Sequence, residues 1–280
     1  MPAIINISPS WPSISVKKLF SGELVEDREI VTVKPIMWST TDASCHRVML
    51  DLNRAIFENP GTIESPTRVV GYSIWSQVVY KWLRELGPKA IKDIDPRTIE
   101  FFTLGCPEQK FTGTSFLWPH KDPPVYPGTT PRLPWSSTPK EHFGGYGVGS
   151  GLPLELPWKV YCVANEYDGW ADAPALFPAN DALDQRRKFL WFTWRQPWFE
   201  PGNLFARLRT MNGPHGIPAY EEGNLFGPEH FVYSDPEIDS DFDTYGEAIY
   251  IWRRTSYAPV LTGDARAAWN ANYERPVEMP

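Results

Sequence analysis

Residues 69–75, Val-Val-Gly-Tyr-Ser-Ile-Trp, run from an apolar stretch through a glycine to a serine and on into a helix-forming segment. A serine that closes a buried strand and opens a helix sits on a sharp turn. That turn lifts its hydroxyl above the carboxyl edge of a sheet, where open α/β sheets bind ligands. The chemistry open to such a serine is nucleophilic acyl transfer. It requires a histidine to take the proton and an acid to fix that histidine's tautomer. The N–H of Ile74 and the positive end of the following helix would face the developing oxyanion. Gly71 fits this reading, because a side chain two residues before the serine would crowd the turn. The alternative role for Ser73 is that of a plain N-cap for the helix starting at Ile74. Trp75 occupies the second glycine position of the Gly-x-Ser-x-Gly pattern.

The acid belongs in a turn after a later strand, at the same sheet edge as Ser73. Asp168 meets that condition, and Asp172 is the second choice. The chain order serine, acid, histidine then puts the base beyond Asp168. Of the five histidines only His215 and His230 lie there, both in loops flanked by glycine and proline. His230, a short loop ahead of the last predicted strand, is favoured, with His215 open as the alternative. A second oxyanion donor is expected from the loop after the first predicted strand, at Ser39 and Thr40, two residues equally suited to capping the next helix. The nearest approach to a metal-ligand spacing is His120 with Asp122, and neither metal nor cofactor is expected. Cys45, Cys106 and Cys162 are scattered and read as reduced, buried thiols.

These residues need a scaffold, and the hydrophobic pattern supplies one. Strands are predicted over residues 30–38, 67–70, 99–104, 158–165 and 247–253, and helices over 46–57 and 76–86. Strand alternating with helix over short connections predicts a parallel sheet covered by helices, an α/β fold. Residues 111–157, rich in proline and glycine, are expected to form an ordered loop over one face. Residues 181–226 form an aromatic, partly helical insertion, read either as core or as a lid that presents apolar surface to a lipidic substrate. No boundary separates two units, so a single domain over residues 1–280 is expected.

Composition narrows the function classes. A chain of 280 residues can bury a core without disulfides or metals. Its 42% hydrophobic and 22% charged content is that of a globular protein. The net charge of −7 argues against nucleic acid as a partner, which needs clustered Lys and Arg. The 29 prolines, about twice the average usage, imply long ordered loops, and the 13 tryptophans imply wide apolar surfaces. No apolar run is long enough for a transmembrane helix. The first 17 residues lack a cationic segment followed by an apolar one, so no secretory signal is expected. The expectation is a protein synthesised in soluble form in the cytoplasm.

Three segments carry a family resemblance. Val-Val-Gly-Tyr-Ser at 69–73 resembles the Gly-Tyr-Ser-Gln-Gly elbow of the cutinase-like serine hydrolases, which include mycobacteriophage lysin B esterases and mycobacterial PE-PPE-domain hydrolases. Phe-Thr-Leu-Gly-Cys-Pro-Glu at 102–108 is similar to the strand and Gly-Asn-Pro that follow that elbow, with Cys106 in place of Asn. Glu-Tyr-Asp-Gly-Trp-Ala-Asp-Ala-Pro at 166–174 is similar to the Tyr-Asp-Gly-Trp-Ala-Asp-Phe-Pro signature of the PE-PPE hydrolases. The resemblance spans roughly residues 30–175 and implies a cutinase-like α/β-hydrolase fold with Asp168 as acid. His230 resembles the family's base. The implied activity is a serine esterase acting on lipid esters, including those of an actinobacterial cell envelope, in a bacteriophage setting. A lytic enzyme of this kind would need a holin for release, or carriage in the virion among other virion proteins. The competing expectation is a hydrolase-fold structural protein without catalysis, such as a phage tail component, which Trp75, the tryptophan surplus and the proline-rich loops would suit.

Overall fold

The computed structural model describes residues 2–8, 15–35, 42–106, 108–110, 152–153, 156–166, 168, 171, 213, 215–235 and 246–257. Seven strands form one sheet: β1 (Ala3–Ile7), β2 (Glu29–Val33), β3 (Thr67–Tyr72), β4 (Ile99–Leu104), β5 (Lys159–Asn165), β6 (Phe231–Ser234) and β7 (Glu247–Arg253). Their order across the sheet is β2-β1-β3-β4-β5-β7-β6. All neighbours run parallel except β6 on β7, which closes one edge antiparallel.

The central strands are apolar at nearly every position because both faces are covered. Alternate residues go to opposite sides. Ile5, Val69, Phe101 and Val160 join a core with helices α1 (Asp42–Glu58) and α2 (Ile74–Glu85). Ile4, Val70, Phe102 and Tyr161 join a second core, with Leu19 and Phe20 of a short 3-10 turn and with Tyr220 of helix α4 (Ile217–Glu221). A four-residue helix α3 (Gly87–Ala90) follows α2. The interior face of α2 shows helical spacing, with Trp75, Val78, Val79, Trp82 and Leu83 all buried.

Three expectations are revised. β1 lies between β2 and β3 but was not expected, since Ala-Ile-Ile-Asn-Ile is short, interrupted by Asn6 and preceded by Pro2. β2 stops at Val33, before Pro35, rather than running on to residue 38. Proline lacks the N–H that a ladder needs. The antiparallel strand β6 was also not foreseen. The sheet, with its helices on both sides and a strand–serine–helix turn at its carboxyl edge, is an α/β fold of the α/β-hydrolase-like kind. Among the described residues no helix is long and apolar enough to cross a membrane.

Candidate active site

Register decides which residues leave the sheet together. Tyr72 of β3 pairs with Leu104 of β4, so Ser73 and Gly105 emerge side by side. On the other side of β4, Leu104 pairs with Val163 of β5, and Asp168 lies three residues past the end of that strand. Serine and acid thus stand at one carboxyl edge, the usual ligand-binding edge of such sheets.

Ser73 itself is strained. Its backbone takes φ 55° and ψ −123°, a conformation that L residues rarely adopt. The turn is held in place by Ser73 N–H donating to the Leu104 carbonyl (2.7 Å) and by Ser76 Oγ donating to the carbonyls of Gly71 (2.8 Å) and Leu104 (3.0 Å). The predicted need for Gly71 is met in the packing. A Cβ there would lie 2.7 Å from the Trp75 carbonyl oxygen and 2.9 Å from Val79 Cγ2. Ser73 is not a plain helix cap, since its side chain makes no capping hydrogen bond. Its Oγ instead lies 2.9 Å from His215 Nε2.

His215 is therefore the histidine at this site, and His230 is not. The Nδ1 of His215 lies 2.9 Å from Oδ1 and 2.8 Å from Oδ2 of Asp168. A carboxylate can only accept there, so the neutral ring carries its proton on Nδ1 and leaves Nε2 to accept from the serine hydroxyl. Asp168 is fully buried and His215 nearly so. The Asp168 carboxylate also accepts from the Ala171 N–H at 3.3 Å and from the Tyr220 phenol at 3.2 Å. Tyr72 stacks on the imidazole, with centroids 5.4 Å apart, and donates its phenol to the His215 carbonyl. Burial, reinforced by the Asp168 charge, pushes the Tyr72 and Tyr220 phenols well above their ordinary value, so both remain donors.

His230 instead bridges two backbone segments. Its Nε2 faces the Asn224 carbonyl at 3.1 Å, and its Nδ1 accepts from the Arg254 N–H at 3.2 Å. Both ring nitrogens thus join the 224 segment to the end of β7. The buried Arg253 guanidinium reinforces that segment, donating to Asn165 Oδ1 (3.0 Å) and to the carbonyls of Ala219 and Asn224 (3.2 Å each). Burial lowers its pKa to about 10.

The remaining expectations divide. Ile74 opens α2, and its backbone N–H belongs to a helix's first turn, where such groups lack intrahelical partners. Ser39, Thr40 and Asp172 lie outside the described residues. The strand before Ser39 and Thr40, β2, is separated from β3 by β1. Trp75 is buried at 5% exposure and packs in the core under α1 and α2, not in the one that holds Tyr72 and Tyr220. The sequence leads one to expect Trp75 against 111–157 or 189–205; of these only residues 152, 153, 156 and 157 are described, and Leu156 lies in the same core with Leu152 packed against it. The insertion placed at 181–226 is described only at residue 213 and over 215–226, where it carries His215 and Tyr220 to the site. Sequence reasoning missed Tyr72, Gly105 and Tyr220. Gly216 followed by Pro218 is a helix-start signal that places His215 just ahead of α4.

No protein-family model matches this sequence, and no curated protein matches it. Among solved structures the chain is similar to lysin B from Mycobacteriophage D29, with a TM-score of 0.35 and 13% identity over 66% of this chain and 70% of that one. So loose an overlap adds no weight, and the fold assignment rests on the sheet order and the serine turn described above.

Proposed function

We propose that the chain is a serine carboxylic-ester hydrolase working by acyl transfer through Ser73, His215 and Asp168. The observation that carries this is the unbroken run from Ser73 Oγ to His215 Nε2 (2.9 Å) and from His215 Nδ1 to Asp168 (2.8 Å), built on a strained serine turn. His215 Nε2 takes the hydroxyl proton as Ser73 Oγ bonds to the ester carbonyl carbon. The resulting oxyanion is met by the Ile74 N–H at the start of α2. Protonated His215 then gives its proton to the departing alcohol as the ester C–O bond breaks. Water, deprotonated by His215, attacks the acyl-enzyme and releases the acid, restoring Ser73. Asp168 keeps the Nδ1 tautomer and balances the transient imidazolium.

The lipid-ester substrate class, and with it a cutinase-like relationship and a bacteriophage role at an actinobacterial envelope, rests on the resemblance of residues 69–73 and 166–174. Hydrolysis of p-nitrophenyl esters from short to long acyl chains tests both parts. The purified protein should turn over esters and be labelled by a fluorophosphonate at Ser73. Ser73→Ala should do neither while remaining folded. Folded protein that is neither labelled at Ser73 nor active on any ester would refute the enzyme reading. A preference for short acyl chains would remove the lipid part alone.

A further inference from the structure

We propose that Tyr220 is a positioning residue for the acid, its phenol fixing the orientation and charge of the Asp168 carboxylate through which His215 works. This rests on the acyl-transfer reading above and extends it to a fourth side chain. The phenol is fully buried, accepts from the Asn165 N–H at 3.3 Å and donates to Asp168 Oδ2 at 3.2 Å. Its hydrogen is therefore committed to the carboxylate, because the backbone N–H opposite can only donate. Tyr220 lies on α4, five residues after His215 and on the same segment. One stretch of chain thus grips the acid at two points, through an imidazole and through a phenol.

The arrangement around the carboxylate defines what losing that phenol should do. Facing it are His215 and Tyr220 from the segment 213–221, and the Ala171 N–H from its own turn. Tyr72 of β3 stands within reach of the Asp168 charge, stacked on His215 and edge-on to Tyr220, with centroids 5.7 Å apart in the second pair. Arg253 of β7 acts on Tyr220 and binds the Ala219 carbonyl beside it. Without the phenol, one donor fewer shares the negative charge, so the carboxylate pulls harder on the His215 Nδ1–H and favours the imidazolium. It also loses one of the contacts that, with His215 and the Ala171 N–H, resist its rotation about the Cβ–Cγ bond. Tyr220→Phe removes only the hydroxyl and keeps the ring that packs against Tyr72.

The test compares the parent protein with Tyr220→Phe in two readouts. One is the pH profile of p-nitrophenyl butyrate hydrolysis, and the other is the proton NMR resonance of the His215 Nδ1–H. The variant should lose about tenfold in kcat, the scale of a hydrogen bond to a charged group, with KM changed by no more than about twofold. The acid limb of its profile should move to higher pH, and the resonance should move downfield. A side chain that only packs would move neither the limb nor the resonance, and that result overturns the proposal. Site-specific 3-fluorotyrosine at position 220, a stronger donor of nearly the same shape, should shift both readouts in the opposite direction. It decides the matter should the phenylalanine variant fail to fold. A parent protein inactive on every ester would defeat the hydrolase reading, whereas the resonance would still decide the role of Tyr220.

Discussion

Gly105→Ala is the substitution most exposed to refutation, because the structure specifies both its costs. Gly105 leaves β4 at φ +59°, where an L residue costs about 1–2 kcal/mol. At about 2–4 °C per kcal/mol for a domain of this size, the melting temperature should fall by roughly 2–8 °C. The second cost is local. A Cβ at Gly105 would lie 3.0 Å from the Tyr220 phenol oxygen and 3.2 Å from both Cε1 and Nδ1 of His215, so each must retreat by a few tenths of an ångström. Both groups are hydrogen-bonded to Asp168, and a retreating imidazole stretches its 2.9 Å contact with Ser73. Since a misplacement of about 1 Å costs about a hundredfold in rate, a shift of this size should cost about three- to tenfold in kcat/KM. Gly223→Ala is the matched control. Its φ is +64°, yet the nearest atom to a new Cβ is Arg253 Nη2 at 3.4 Å, an ordinary contact. It should lower the melting temperature similarly and leave ester hydrolysis unchanged. Calorimetry and p-nitrophenyl butyrate kinetics on the two variants read both costs. If Gly105→Ala retains full activity with the same loss of stability as Gly223→Ala, the placement of His215 against β4 is wrong.

Three further outcomes are expected. His215→Ala should lower turnover by about a thousandfold or more, whereas His230→Ala should leave it nearly intact and cost about 1–2 kcal/mol of stability for two lost hydrogen bonds. The reverse ranking in the same ester assay would return the base to His230. Trp75→Gly should destabilise the fold by about 3–5 kcal/mol, as removal of a buried indole does, with no rise in activity. New esterase activity in an otherwise inert protein would show Trp75 obstructing the site. Burial pushes the Cys162 thiol up to about 12 and, with Glu108 nearby, raises that of Cys106 well above its ordinary value. Unfolded thiols ionise near about 8.5, so the unfolded chain gives up protons that the folded chain keeps. The stabilisation is whole below that pH and is lost as pH rises toward 12. Folded protein at pH 8 should thus be unreactive toward a disulfide reagent, and denaturation should expose all three free cysteines. Rapid labelling of the folded protein would contradict that burial.

The parts of this protein legible in the sequence are those set by local pattern. Strand–glycine–tyrosine–serine–helix announced the turn at Ser73, and the continuous apolar runs at 67–72, 99–104 and 159–165 announced a sheet covered on both faces. Asp168, a turn residue after a buried strand, was expected at this edge on the same ground, and it lies against His215. The histidine beside Ser73 was misjudged because two loop histidines look alike until their neighbours are known. His230 precedes a strand, as a base can, but its nitrogens are satisfied by backbone groups at residues 224 and 254. Those contacts depend on β6 pairing with β7, a long-range event with no signature in the residues around His230. Tyr72, Gly105 and Tyr220 were invisible for the same reason. Each acts across the sheet edge, at sequence separations set by topology.

A strained serine is the strongest reason to read this edge as chemical and not merely structural. Holding a non-glycine residue in a rarely populated conformation costs about 1–3 kcal/mol, and it persists only where its surroundings over-determine it. Here the surroundings do so from three directions: the Leu104 carbonyl accepts from the Ser73 N–H, the Ser76 hydroxyl ties the turn to Gly71 and Leu104, and Gly71 leaves room for α2 to begin at once. A capping serine needs none of this, because N-caps ordinarily adopt extended backbone angles and turn the side chain back on the helix. Ser73 does neither, and its hydroxyl is delivered to a histidine that already carries its acid. Trp75 is consistent with that delivery. Its indole is absorbed into the core beneath α1 and α2, so the bulk at the second glycine position is housed away from the face bearing Tyr72 and Tyr220. The strain thus supports the acyl-transfer reading proposed above, since relaxing Ser73 to an ordinary cap would remove that cost.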